Sequence, residues 1–151
     1  MPVIERSALV SYTNKQMYDL VDDIESYPDF LPWCHNTKIY QRDDHTVEAS
    51  IGVESMGIQK SFTTRNSLTP HTHIALTLVE GPFEKLEGLW TFKSLGDEGC
   101  KVSLHMEYEH RGGWAYIAFG TVFSHIAGQL VDAFVERANT VLGDQNVEEN
   151  N

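Results

Sequence analysis

The chain has 151 residues, enough for one domain that buries roughly 70% of the surface its unfolded form would expose, and 41% hydrophobic with 11% aromatic residues is the composition of a globular protein. Twenty-two acidic residues against eleven basic ones give a net charge of -11, which argues against DNA and generalised phosphate-backbone binding, because counterion release needs clustered cations. Only two cysteines occur, and Glu5, Arg6, Lys15 and Asp19 interrupt any N-terminal apolar run, so the expectation is a cytoplasmic protein with Cys34 and Cys100 as buried free thiols.

In chain order, residues 3–10 alternate weakly as a strand, and Thr13 is placed to cap a helix carrying Met17, Leu20, Val21 and Ile24 at i, i+3, i+4, i+7 spacing. YPDFLPWC follows at 27–34. Each proline removes a backbone donor and biases its predecessor away from helix, so the segment is expected to be an ordered apolar loop that covers something.

Extended segments come next. After KIYQR (38–42), Val47, Ala49, Ile51 and Val53 alternate with polar or small residues; Ile58, Phe62 and Leu68 share one parity of the following run. Ile74, Leu76 and Leu78 alternate up to Gly81-Pro82, Leu86, Gly88, Trp90 and Phe92 up to Gly96, and Val102, Leu104, Met106 and Tyr108 up to Gly112-Gly113. Period 2 with short turns predicts an antiparallel sheet with one apolar face. The period then becomes 3.6, with Phe119, Val122, Phe123, Ile126, Leu130, Phe134, Ala138 and Val141 on one stripe, which predicts one long helix ending near Gly143. Residues 112–131 carry no Asp, Glu, Lys or Arg, but glycines, Thr121, Ser124, His125 and Gln129 make them a poor membrane span. The domain is expected over 1–143, with 144–151 a disordered polar tail. An apolar sheet face wrapped around one helix encloses volume, and what the side chains leave empty is a cavity.

No Gly-rich phosphate loop, CxxC, HExxH or GxSxG occurs. His105, Glu107 and Glu109 share a strand face as H-x-E-x-E, but on the parity opposite Leu104, Met106 and Tyr108, so they read as a solvated outer face and not as a metal site. His71 and His73 read as turn histidines, and Cys34-His35 lacks an orienting third group. Gly120, Ser124 and Gly128 recur every four positions, a strip that suits close packing against the sheet or the first helix, or contact with a flat ligand or a partner. Phe83, at the tip after Gly81-Pro82, is expected to form a second lip of the cavity mouth that YPDFLPWC borders.

YPDFLPWC, SFTTRN (61–66), LVEGPFEKLEGLW (78–90) and the helix start at 118–123 occur in order at compatible spacing. In this combination the chain resembles the coenzyme Q-binding, START-like family across its ordered length. The resemblance implies an α+β helix-grip fold, a curved antiparallel sheet around a long C-terminal helix with a helical insertion after the first strand. It implies non-enzymatic binding of ubiquinone or a lipid-like molecule and no other cofactor. One branch is described as a toxin that binds the large ribosomal subunit and blocks subunit association, paired with a small ubiquitin-like antitoxin. Lys60, Arg65, Lys85, Lys93 and Lys101 are candidates for such a contact. A polyketide cyclase-like enzyme is the alternative within the superfamily, but the expected inward positions offer no acid-base pair. The expected cavity lining is Phe62, Leu78, Trp90, Met106, Phe123, Ile126 and Leu130, with Phe30, Leu31, Trp33 and Phe83 at the mouth. No residue is expected to be catalytic or to bind a metal. An apolar mouth also allows transient contact with a membrane surface.

Overall fold

The computed structural model describes residues 2–143; the predicted tail, 144–151, lies outside them. The elements run β1 (Val3–Val10), α1 (Asn14–Asp22), a 3-10 turn (Ile24–Ser26), α2 (Tyr27–Phe30), β2 (Cys34–Arg42), β3 (Thr46–Ser55), β4 (Ile58–Thr69), β5 (His73–Glu80), β6 (Phe83–Ser94), β7 (Cys100–His110), α3 (Trp114–Gly128) and α4 (Leu130–Val141). The seven strands form one antiparallel sheet in the order β1-β7-β6-β5-β4-β3-β2. β1 closes onto the last strand because the helical insertion carries the chain across the sheet before β2 begins. The apolar parities read from the sequence face the helices: Val47, Ala49 and Val53 on β3, Leu86, Trp90 and Phe92 on β6, and Val102, Leu104, Met106 and Tyr108 on β7 are all buried.

Local chemistry explains the helical boundaries. The Thr13 hydroxyl accepts from the Gln16 amide at 3.1 Å while the Gln16 side chain accepts from the Thr13 amide at 2.9 Å, a reciprocal cap that satisfies two otherwise orphan donors of α1. Met17, Tyr18 and Val21 point from α1 into the core.

Two expectations are corrected. Part of YPDFLPWC is helical: α2 spans its first four residues, because Pro28 falls in the first turn, where its missing N–H and fixed φ cost nothing. The chain leaves α2 at Leu31, whose extended backbone matches what a following proline imposes. The long C-terminal helix is also two helices, meeting at Gln129 with a 42° bend. Gly128 immediately precedes the break, where the backbone has no Cβ to constrain it. No single helix among the described residues is long and apolar enough to cross a membrane.

Phe83 sits at the centre of an aromatic cluster, with ring centroids 5.9 Å from Phe62, 6.0 Å from Tyr108, 5.3 Å from Phe119 and 4.8 Å from Phe123. It is a core residue, 1% exposed. The turn before it is tied to the same cluster, since Gly81 has φ +155° and a Cβ there would meet the Phe62 Cβ at 2.6 Å. Phe83→Ala is expected to lower unfolding free energy by about 3–5 kcal/mol, read from urea unfolding monitored by circular dichroism; a loss below about 1 kcal/mol would contradict its place in the core.

Candidate ligand cavity

Between the sheet and the helices the side chains leave a partly open space of about 70 Å³. β3 contributes Ala49, Ile51 and Val53; β4, Phe62, Thr64 and Asn66; β5, Ile74 and Leu76; β6, Leu86 and Trp90; and β7, Met106. Val21, Ile24, Tyr27 and Trp33 close it from the insertion, and Phe123, Ile126, Leu130 and Phe134 from α3 and α4.

Seven of the expected residues, Trp33, Phe62, Trp90, Met106, Phe123, Ile126 and Leu130, meet at this space. Four do not. Leu31 is fully packed away from it, and Phe30 lies half-buried against Phe134 at 5.3 Å, with the Arg137 guanidinium 4.9 Å above its ring. Phe83 is no lip, for the packing reason given above. Leu78 and Phe83 border an open polar groove at the other end of β4 and β5, together with Tyr40, Lys60, Arg111 and Tyr116. Phe62 lines both spaces and forms the partition between them.

The sequence reading passed over Thr64 and Asn66. They are the two buried polar side chains among the described residues, each 6% exposed, and the Thr64 hydroxyl donates to the Asn66 side-chain oxygen at 2.8 Å. Their signal was available: they share the inward parity of Phe62 and Leu68. Tyr27, the first residue of the aromatic motif and outside the expected lining, also borders the cavity. Its hydroxyl donates to the Val21 carbonyl, and burial pushes its pKa well above the ordinary phenol range. Apart from this phenol, the lining holds no ionisable side chain.

The remaining candidates separate from the cavity. Burial pushes the Cys34 thiol up to about 11 and also raises Cys100, so neither is an activated nucleophile. His105 is held between the Glu5 carboxylate at 2.7 Å and that of Glu107 at 3.3 Å on the solvent side, and these hydrogen bonds raise its pKa. No group of three metal-ligating side chains occurs among the described residues. A Cβ on Gly120 would meet the His110 ring at 3.1 Å, so the small-residue strip does serve close helix-sheet contact there.

The five cations do not assemble. Arg65 pairs with Glu48 at 2.8 Å and Lys85 approaches Glu87 at 3.9 Å. Lys60 shares the inner parity of β4 and extends over the Tyr116 ring at 5.7 Å. Lys93 and Lys101 are cross-strand partners at the far end of the β6–β7 ladder.

The fold and site define a helix-grip protein with an apolar internal cavity. The sequence from 10 to 135 matches the model of the polyketide cyclase/dehydrase and lipid transport family, and the chain belongs to that family. It is 44% identical over 93% of its length to the ribosome association toxin RatA of Escherichia coli K12, of which the match covers 89%. It is 24% identical over 93% of its length to the mitochondrial coenzyme Q-binding protein COQ10 homolog B of Xenopus laevis, covering 59% of that protein. The Zhui aromatase/cyclase from Streptomyces sp. R1128 superposes with a TM-score of 0.81 at 18% identity, covering 91% of this chain and 93% of the other, a likeness of fold.

The buried thiol predicts a pH effect. The unfolded Cys34 thiol ionises near 9, while the folded one stays neutral to about 11, so its contribution to stability is whole below pH 9 and is lost as pH rises toward 11. Wild-type protein should lose stability more steeply than Cys34→Ala across that window in urea titrations; parallel profiles would show that the site is not desolvated.

Proposed function

We propose that this protein is a non-enzymatic carrier or sensor of a neutral hydrophobic molecule, of the isoprenoid quinone or lipid-like class, which it takes into the cavity between the sheet and α3–α4. The observation that carries this is the lining itself: an almost wholly apolar space between sheet and helices without an acid-base pair, in a family described by lipid transport as well as cyclisation. The same observation weighs against the cyclase reading, since positioned proton transfer requires ionisable groups within reach of substrate. Ligand sites typically enclose roughly 300–1,000 Å³, so the 70 Å³ space takes the leading end of such a molecule and widens as the rest enters.

A second reading is favoured by one observation, the 44% identity to RatA over nearly the whole chain. In this reading the protein also binds the large ribosomal subunit, opposes subunit association and is restrained by a small ubiquitin-like antitoxin. With the candidate cations dispersed or paired, the contact would be made through ribosomal protein or through isolated cations, and its affinity would depend only weakly on salt.

Protein purified from cells should yield a co-purifying apolar molecule on solvent extraction and mass spectrometry, and Phe123→Asp should yield none. Added short-chain quinone should quench tryptophan fluorescence of the stripped protein, through Trp33 and Trp90 in the lining. Absence of both a co-purified molecule and quenching overturns the carrier reading. For the second reading, saturating protein added to dissociated subunits should reduce the 70S peak in a sucrose gradient, and an unchanged profile removes it.

A further inference from the structure

We propose that Asn66 is the polar anchor of the cavity, its carboxamide donating to a neutral acceptor oxygen (a quinone, ketone or ester carbonyl) on the buried end of an otherwise apolar ligand; this rests on the cavity being a ligand site. Asn66 lies on β4, paired across the ladder with Leu76, and is 6% exposed. An asparagine side chain has two N–H donors and one acceptor oxygen. The oxygen already accepts from the Thr64 hydroxyl at 2.8 Å, a bond that sets the orientation of the amide and turns its nitrogen away from Thr64. That nitrogen has no acceptor among the described residues.

It is not sealed inside protein either, because no fully enclosed side-chain nitrogen or oxygen among the described residues lacks a partner. The nitrogen therefore faces open space, and the open space bordered by Asn66 is the cavity. Buried amide donors are almost always satisfied in folded proteins, so an occupant that brings an acceptor fits this site better than one that does not.

The rest of the lining points to the same chemistry. Trp90, 3% exposed, carries an indole N–H that also has no acceptor among the described residues, whereas the Tyr27 hydroxyl spends its proton on Val21. The cavity thus presents donors and no cation. A fatty-acid carboxylate would enter with its charge unpaired, at a large desolvation cost, and a hydrocarbon would leave the amide without a partner. Water can serve the amide when the cavity is empty; a ligand carbonyl that displaces it keeps the hydrogen bond, and a hydrocarbon does not. Thr64 acts through Asn66 as a positioning residue.

The test uses two probes of the same ring size, duroquinone and durene, which differ in the two carbonyls; the fully substituted quinone resists addition of thiols. Affinities are measured by NMR titration of isotope-labelled full-length protein. Asn66→Leu, close in shape, should weaken duroquinone binding roughly tenfold and leave durene unchanged or tighter. In wild-type protein the Asn66 side-chain NH₂ resonances should move with duroquinone and not with durene, a measurement that does not depend on the variant folding. If both probes bind and Asn66→Leu changes them equally, or the NH₂ resonances respond alike to both, the anchor is overturned while the cavity remains a ligand site. If neither probe binds wild-type protein, the ligand-site reading and the anchor fail together.

Discussion

The structure depends on two groups of aromatic rings that hold the C-terminal helices off the sheet. At one end Phe62, Phe83, Tyr108, Phe119 and Phe123 pack mainly edge to face, with Phe83 and Phe123 4.8 Å apart and Tyr108 and Phe123 5.0 Å apart. At the other, Phe134 meets Tyr27 at 5.4 Å and Trp90 at 5.4 Å, and Trp90 stacks on Phe92. Edge-to-face pairs favour their own spacing, and protein interiors resist compression. Phe123 and Phe134 are separated by about 16 Å of helix contour. Between these supports the helices contribute Ile126 and Leu130 to the cavity lining, and the sheet contributes Ala49, Ile74, Leu86 and Met106. The cavity follows from where the large rings are.

Much of this was legible in the sequence because period is a strong signal. The strand parities, the capped first helix and the apolar stripe over 119–141 each carry several residues that agree. What was not legible involves single residues whose effect depends on tertiary neighbours. Pro28 suits a helix only as part of its first turn, and nothing before the structure says that Tyr27 begins one. The break at Gln129 leaves the stripe intact, since a 42° bend redirects a helix without changing which face is apolar. Phe83 follows a Gly-Pro turn and so read as a lip, yet the turn folds onto Phe62 and drives the ring inward. Thr64 and Asn66 break the apolar alternation that marks an inward face: on β4 two of the four inward positions from Phe62 to Leu68 are polar.

That exception has an energetic meaning. A Thr-Asn pair in the middle of a strongly apolar face satisfies one donor and one acceptor internally, and a valine-leucine pair of similar shape would fill the same positions without exposing an amide to the cavity. Replacing both partners of a buried hydrogen bond by apolar residues of the same shape is often neutral or favourable, so stability alone gives no reason for these two. The outer surface follows different rules. Its carboxylates outnumber its cations, Arg65 and Lys85 lie beside acids, and His105 sits between two more. The charged outer surface and the cavity lining are therefore separate parts of the molecule.

Widening the 70 Å³ space to the size of a ligand of the proposed class would have a preferred direction. The aromatic groups at the two ends are buried and mutually packed, so moving either sacrifices many contacts at once. Trp33, Ile51, Leu76 and Leu130 line the cavity but are only half-buried, so displacing them exposes less new apolar surface. Leu130 is also the first residue of α4, at the bend, and the N-terminus of that helix has no side-chain cap. Trp33 follows Pro32, and its carbonyl accepts from the Glu54 amide at 2.9 Å, which holds the backbone of the aromatic segment on β3 while its indole remains partly in solvent. The side between Trp33 and Leu130 is thus where widening the cavity would cost least.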